Sequence, residues 1–172
     1  MEMDVNMNEH RGSGGFPVDS PLEALKKDHH FVKMLFERYL GSQDMKVKQE
    51  AGPRILQLLE MHDMLEERVF YPRVHECDPS LVDHCEEEHA QARQMMDQLK
   101  GMTPGDAQFD QLLAQLQKAI LHHVQQEEQQ LFPKVEQSKM DMTKLGLEMQ
   151  AFESNMVSTQ ARMSGQQPGM RK

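Results

Sequence analysis

Two stretches of this sequence share one pattern, and together they decide the fold. Residues 62–72 read HDMLEERVFYP, and residues 123–133 read HVQQEEQQLFP. Both have the form H-x-x-x-E-E, followed by four residues that end in an aromatic side chain and then by proline. A repeat of this kind predicts two copies of one structural unit.

Each copy follows a stretch that carries an acid–histidine pair, Asp28-His29 in the first and Glu88-His89 in the second. Apolar residues recur at spacings of three and four in all of these stretches, which is typical of helices with one buried face. Each unit is therefore predicted to be a helical hairpin. Two such hairpins, packed about a pseudo-two-fold axis, close an all-α, up-down-up-down antiparallel four-helix bundle.

Composition agrees with a helical protein of one domain. The chain has 172 residues, 38% hydrophobic and 27% charged, and only 5% aromatic. Helix-forming residues dominate, and strand-favouring Ile, Thr and Tyr are scarce. A further amphipathic stretch beyond the repeat predicts an additional C-terminal helix, which either caps the bundle or pairs with a second copy of the chain as a homodimer.

The predicted organisation has four parts. Residues 1–19 and 165–172 are polar and Gly-containing, which predicts disordered tails. Residues 20–137 form the bundle, and residues 138–164 form the C-terminal helix. Within the bundle, the second helix is expected to begin near Val47 or Pro53, and the fourth near Thr103-Pro104.

Charge and cysteine content exclude several classes of function. The formal net charge is −9, which argues against nucleic acid as a partner because a phosphate backbone requires a basic surface. No apolar run is long enough to cross a membrane, so no membrane partner is expected. Two cysteines do not make a disulfide framework, and a reducing cytoplasm is the expected compartment.

The spacing within the repeat predicts a metal site. Residues four apart on a helix are separated by about 40° of rotation and about 6 Å of rise, so the two members of each H-x-x-x-E share a face. With one histidine from each remaining helix, four imidazoles and two carboxylates converge on the core. The predicted ligands are His29, His62, Glu66, His89, His123 and Glu127.

The blander interpretation is that these side chains lie on solvated helix faces. It is weakened because each proposed ligand falls on an apolar stripe, whereas His30 and His122 fall among charged and polar residues. Imidazole suits iron, copper, zinc and nickel, and a carboxylate has two oxygens with which to bridge two ions. Unpaired, such groups in a core would be costly.

The pattern H…H-x-x-x-E…H…H-x-x-x-E resembles the hemerythrin-like HHE cation-binding family over roughly residues 22–135. The resemblance implies a four-helix bundle with a non-haem di-iron centre, oxo- or hydroxo-bridged. Classical oxygen carriers of that family have a second histidine in the third helix and an aspartate in the fourth. This chain differs at both places, so it is more similar to bacterial hemerythrin-like proteins associated with O₂, peroxide or NO.

The resemblance implies a protein that binds and reacts with O₂ or peroxide, with catalase-like or peroxidase-like activity. The alternative is a module that senses O₂, NO or iron, or simply binds metal, without turnover. No catalytic residue is predicted apart from the metal centre. Glu67 and Glu128 are expected to lie in solvent or behind the ligands, since each is about 100° away from its neighbouring glutamate.

Other candidate groups are given structural roles. A zinc site at His75, Cys77, His84 and Cys85 lacks a C-x-x-C arm. The many methionines stand at core spacing, which favours packing over copper(I) binding. Tyr71 corresponds to Phe132 in the second copy, so a packing role is expected, while Tyr39 is left open as a hydrogen-bond donor near the centre.

Overall fold

The computed structural model describes Arg11 and residues 15–165, with side chains as far as Thr159. Most of the two predicted tails therefore lies outside the described residues. Throughout the described part the secondary structure is helical, with turns and short links between the helices. The all-α prediction is confirmed.

Two helical hairpins form the bundle. The α-helices are α1 (Pro21–Leu40), α2 (Met45–Leu65), α3 (Tyr71–Val74), α4 (Pro79–Lys100), α5 (Ala107–Gln126), α6 (Phe132–Gln137) and α7 (Met142–Gly165). Helix α1 packs along α2, and α4 packs along α5. Short links join these neighbours, as the up-down-up-down arrangement requires.

Two helix starts differ from the sequence-based expectation. Helix α2 begins earlier than expected, after Asp44, whose side chain accepts a hydrogen bond from the backbone N–H of Lys46. Pro53 lies inside this helix rather than at its start. Helix α5 begins after Asp106, three residues beyond Thr103. A side-chain cap accounts for the start of α2, whereas Asp106 makes no such hydrogen bond at the start of α5.

The second helix of each hairpin changes its hydrogen bonding at the ligand-bearing glutamate. Residues Glu66–Phe70 and Glu127–Leu131 form π-helical turns that run directly into α3 and α6. Proline follows the first residue of α3 and of α6, and a proline ring clashes with the carbonyl four residues earlier in an α-helix. The wider π-turn accommodates that ring, so the aromatic–Pro pair of the repeat marks the place where the helix widens.

The apolar core is divided into two parts. One cluster includes Val32, Phe36 and Ile55, and the other includes Leu25 and Leu65. His29 stands on α1 between Leu25 and Val32, so a polar layer separates the two clusters. This layer contains the predicted ligands.

Helix α7 lies against the bundle of its own chain. It contacts α1, α2 and the first π-turn. Leu145 and Met149 are buried there, while Leu147 is 51% exposed. The helix thus caps the bundle, one of the two roles expected for it. In the described part of the chain, no helix combines the length and the apolarity needed to cross a bilayer.

The packing of α7 gives a test of its contribution to stability. Met149→Ala should reduce the free energy of unfolding by about 2–5 kcal/mol, because it leaves a cavity in a fully buried site. The matched change Leu147→Ala on the exposed side should alter it by less than about 0.5 kcal/mol. Urea unfolding of the two variants measures the difference, and equal losses would show that α7 is not docked in this way.

Candidate metal centre

The structure brings the six predicted ligands together at mid-height of the bundle. The four histidines lie on α1, α2, α4 and α5, and the two glutamates begin the π-turns. None of the six exceeds 9% exposure. By contrast His30 and His122 are exposed. The apolar stripe of each helix therefore identified the inward-facing histidines correctly.

The six side chains form two donor groups that share both carboxylates. Four residues make up each group, and the donor atoms of a group lie within 4.8 Å of one another. The first position is surrounded by His29, His62, Glu66 and Glu127. The second position is surrounded by Glu66, His89, His123 and Glu127.

Each carboxylate extends one oxygen toward each position. Glu66 Oε2 lies 3.3 Å from His62 Nε2, and Glu66 Oε1 lies 2.9 Å from His89 Nε2. Glu127 Oε1 lies 3.2 Å from His29 Nε2, and Glu127 Oε2 lies 3.3 Å from His123 Nε2. This is the arrangement that two bridging carboxylates between two cations require.

Buried polar atoms that lack hydrogen-bond partners indicate whether these residues fit a cation. His29 Nε2, His62 Nε2, Glu66 Oε2 and Glu127 Oε1 are buried and make no hydrogen bond. All four belong to the first position. A buried polar atom without a partner costs roughly 1–3 kcal/mol, which the His–Glu contacts at 3.2 and 3.3 Å offset only in part. A cation at this point satisfies all of them, and imidazole with carboxylate suits a first-row transition metal.

A carboxylate stands behind every imidazole. The hydrogen bonds from Nδ1 pair His29 with Glu128 at 2.7 Å, His62 with Asp28 at 2.7 Å, His89 with Glu67 at 3.2 Å, and His123 with Glu88 at 2.9 Å. Each Nδ1–H donates to its carboxylate, which leaves Nε2 directed at the centre and fixes the ring orientation. Glu67 and Glu128 therefore lie behind the imidazoles and orient them. A place behind the ligands was one of the two roles expected for these glutamates.

The charges of the metal-free site are strongly coupled. Burial opposes charge on His62, but Glu66 and Asp28 overcome it and raise the pKa of His62 well above its ordinary value. Burial likewise opposes charge on His89, yet Asp63 and Glu66 raise the pKa of His89 to about 10. In turn the histidines hold the pKa of Glu66 well below its usual range against the effect of burial. Protons thus balance the carboxylates when no metal is bound.

Asp63 adds a further buried carboxyl beside the centre. Its Oδ1 lies 3.6 Å from His89 Nδ1. Burial raises the pKa of Asp63 to about 6, although the nearby histidines act to lower it. Asp63 can therefore hold a proton near neutral pH.

Tyr71 was expected to serve only in packing, and the structure corrects that interpretation. Its hydroxyl lies among the donors of the second position and hydrogen-bonds Glu66 and Glu127. The packing role was inferred from its correspondence with Phe132. On a regular α-helix, residues five apart are separated by about 140°. The π-turn carries Tyr71 around to the same face, and its backbone N–H bonds to the Glu66 carbonyl. The aromatic–Pro pair, present in both copies of the repeat, was the sequence feature that could have indicated this change of helix geometry.

Arg11 is a second residue that the sequence did not single out. It is buried, and its guanidinium donates to Asp28 Oδ1 at 2.6 Å and to the Ala24 carbonyl at 2.9 Å. It also pairs with Glu153 of α7 at 2.5 Å. Since Asp28 bonds to His62, this arginine links α7 to a proposed ligand.

The remaining candidates lie elsewhere. Tyr39 donates to Asp110 and accepts from the Gly105 N–H, both at 2.7 Å, so its hydrogen bonds are made away from the centre. His84 is exposed and pairs with Glu88. Burial raises the pKa of the Cys85 thiol to about 12, which makes it unreactive.

The residues considered for a zinc site do not come together, as their assignment to structural roles requires. Among the described residues, His75 pairs with Asp83, and Cys77 is free. Cys85 does lie within a group with Glu88 and His123. However, His123 and Glu88 already belong to the main centre and its supporting shell, so no separate site results.

A mostly apolar cavity adjoins the His29 and His62 side of the centre and also touches His123. Its walls include Phe31, Val32, Leu58, Leu59, Ile120 and Met156. Walls of this kind admit small neutral molecules and disfavour ions.

Comparison with known proteins agrees with this geometry. The family model described as the hemerythrin HHE cation binding domain matches residues 20–135. A protein of Nostoc sp. (strain PCC 7120) named DNA nickase is 28% identical over 150 residues, which are 86% of this chain and 42% of that protein. The chain thus spans less than half the length of that relative. No solved structure matches the chain significantly.

The matched region contains both hairpins and all six of the clustered histidines and glutamates. A family defined by cation binding therefore coincides with the part of this chain whose buried side chains can hold a metal ion. The chain belongs to the hemerythrin HHE cation-binding domain family.

Proposed function

We propose that the bundle holds two iron ions and reacts with O₂ or peroxide. Two histidines would hold each ion, and the two carboxylates would be shared between the ions. The proposed ligands are His29, His62, Glu66, His89, His123 and Glu127. The observation that carries the proposal is the pair of shared carboxylates, each directing one oxygen to each position.

Iron is chosen because it is the metal implied for this family, and the donor set suits it. When bound, iron supplies a redox-active centre that can take up O₂ or peroxide and change oxidation state. The residues of the chain orient and insulate that centre. Four outer carboxylates hold the imidazole rings in place, and the apolar helix faces on either side exclude water.

The chain also provides a cavity and a carboxyl group beside the centre. The cavity beside His29 and His62 is lined mainly by apolar side chains, which fits O₂, NO or hydrogen peroxide. Asp63 also lines this cavity, and its carboxyl lies 3.6 Å from the His89 imidazole. Catalase-like or peroxidase-like turnover would therefore have both a cavity and a titratable carboxyl close to the centre.

The nickase activity named for the Nostoc relative forms no part of this proposal. The match covers 42% of that protein, so the named activity can reside in the remainder. The formal net charge of −9 also disfavours binding to a phosphate backbone.

The first prediction concerns metal content. The purified chain should contain about two iron ions, and the double variant Glu66→Ala, Glu127→Ala should contain almost none, because both bridges are lost. The matched control is Glu86→Ala, Glu87→Ala, two exposed glutamates on α4. Metal analysis alongside circular dichroism measures both properties, and a folded bridge variant that keeps its iron would refute the bridging assignment.

A second prediction concerns reactivity. Addition of hydrogen peroxide to the iron-loaded chain should release O₂ over many turnovers, whereas the bridge variant should release none above the buffer. An oxygen electrode with a parallel visible spectrum measures both. A reversible spectral change with O₂ or NO but no turnover would instead identify a sensing or binding module.

A third prediction follows from the pKa of the metal-free site. A histidine whose folded pKa is raised to about 10 stabilises the fold fully below the unfolded pKa of about 6.5, and this contribution is lost as pH rises through the folded value. The melting temperature of metal-free protein should therefore fall between pH 6.5 and 9.5. Metal binding needs neutral imidazole, so the iron-loaded protein should show no such fall. If the melting temperatures of the metal-free and iron-loaded forms changed with pH in the same way, the proposed metal site would be contradicted.

A further inference from the structure

The hydroxyl of Tyr71 has more polar neighbours than a phenol needs. Its oxygen lies 3.2 Å from Glu66 Oε1, 3.2 Å from His89 Nε2 and 3.2 Å from His123 Nε2. It also hydrogen-bonds Glu127 Oε2. A phenol has one proton to donate and can accept from one or two donors. Four partners around one oxygen therefore point to another reason for its position.

The distances match those between neighbouring ligands of one cation. Ligands about 2.1 Å from an octahedral ion are separated by roughly 3 Å when they are adjacent. The Tyr71 oxygen stands at about this separation from both imidazoles and from Glu66. The two imidazole Nε2 atoms are themselves 3.0 Å apart. Tyr71 thus completes a set of five oxygen and nitrogen atoms around the second position.

Among the described residues, none supplies a corresponding oxygen at the first position. Phe132 occupies the equivalent place in the second copy of the repeat, and its ring stacks on His29 with centroids 6.1 Å apart. Four protein donors therefore surround the first position, and each of them has a buried atom there that makes no hydrogen bond. The apolar cavity also opens on this side. The two halves of the centre are chemically different despite the repeat.

We propose that Tyr71 is a seventh protein ligand, which binds the iron held by His89 and His123 through its phenolic oxygen. This inference rests on the proposed di-iron function. Coordination displaces the phenolic proton, which leaves together with the protons that the other ligands release on metal binding. Five protein donors would then face the second position and four the first, so small molecules would bind more readily beside His29 and His62.

The chain allows an unusually direct test, since it contains only two tyrosines, Tyr39 and Tyr71. The probe is the ferric protein, loaded with iron alone and counted for metal before any spectrum is taken. Resonance Raman excitation into the visible band should reveal the ring vibrations of an iron-bound tyrosinate. Tyr71→Phe should abolish these vibrations and the associated charge-transfer absorption. Tyr39→Phe, the matched control, should retain both.

A second measurement uses the protein without substitutions, so the test remains valid even if a variant fails to fold or to bind iron. Protein grown with ring-deuterated tyrosine should show the same vibrations at shifted frequencies. Two irons per chain without tyrosinate vibrations would overturn the role of Tyr71 and leave the di-iron proposal intact. Vibrations that persist in iron-loaded Tyr71→Phe would also overturn it. A chain that binds no iron would overturn both proposals.

Discussion

The interaction on which the structure depends is the attraction between two buried carboxylates and the positive charge that must accompany them. Glu66 and Glu127 are fully buried at the centre of the bundle, where an uncompensated carboxylate is very costly. Histidines from four helices surround them, and each helix of the bundle thereby contributes to one polar layer. The apolar clusters on either side can form only if this layer is balanced, by protons or by metal. The fold and the site are therefore stabilised by the same contacts.

The carboxylates behind the imidazoles also link the helices of each hairpin to one another. Asp28 on α1 accepts from His62 on α2, and Glu88 on α4 accepts from His123 on α5. Each acid of an acid–histidine pair thus supports the ligand of the helix beside it rather than its own neighbour in sequence. Arg11 continues one of these links to α7, since it bonds to Asp28 and to Glu153. These hydrogen bonds connect Arg11 and α7, which lie outside the repeat, to one half of the centre.

The sequence predicted those features of the site that follow from regular α-helical geometry. His62 lies one helical turn before Glu66, so their common face follows from α-helical geometry and the apolar stripe. The position of Tyr71 could not be derived in this way, because it depends on a π-turn that shifts the chain by one residue. The burial of Arg11 could not be predicted either, because its partner Glu153 is separated from it by 142 residues. Local spacing carries no information about such a contact.

A symmetric repeat has thus produced an unequal pair of positions. The H-x-x-x-E-E pattern supplies each half with the same histidines and bridges, so the differences come from residues that the pattern leaves free. One of these is tyrosine in the first copy and phenylalanine in the second, at Tyr71 and Phe132. That single oxygen fills one half with a fifth donor, while the other half keeps its unsatisfied atoms and its apolar cavity. The difference between these two aromatic side chains thus makes the two positions unequal, although both halves of the repeat supply the same histidines and carboxylates.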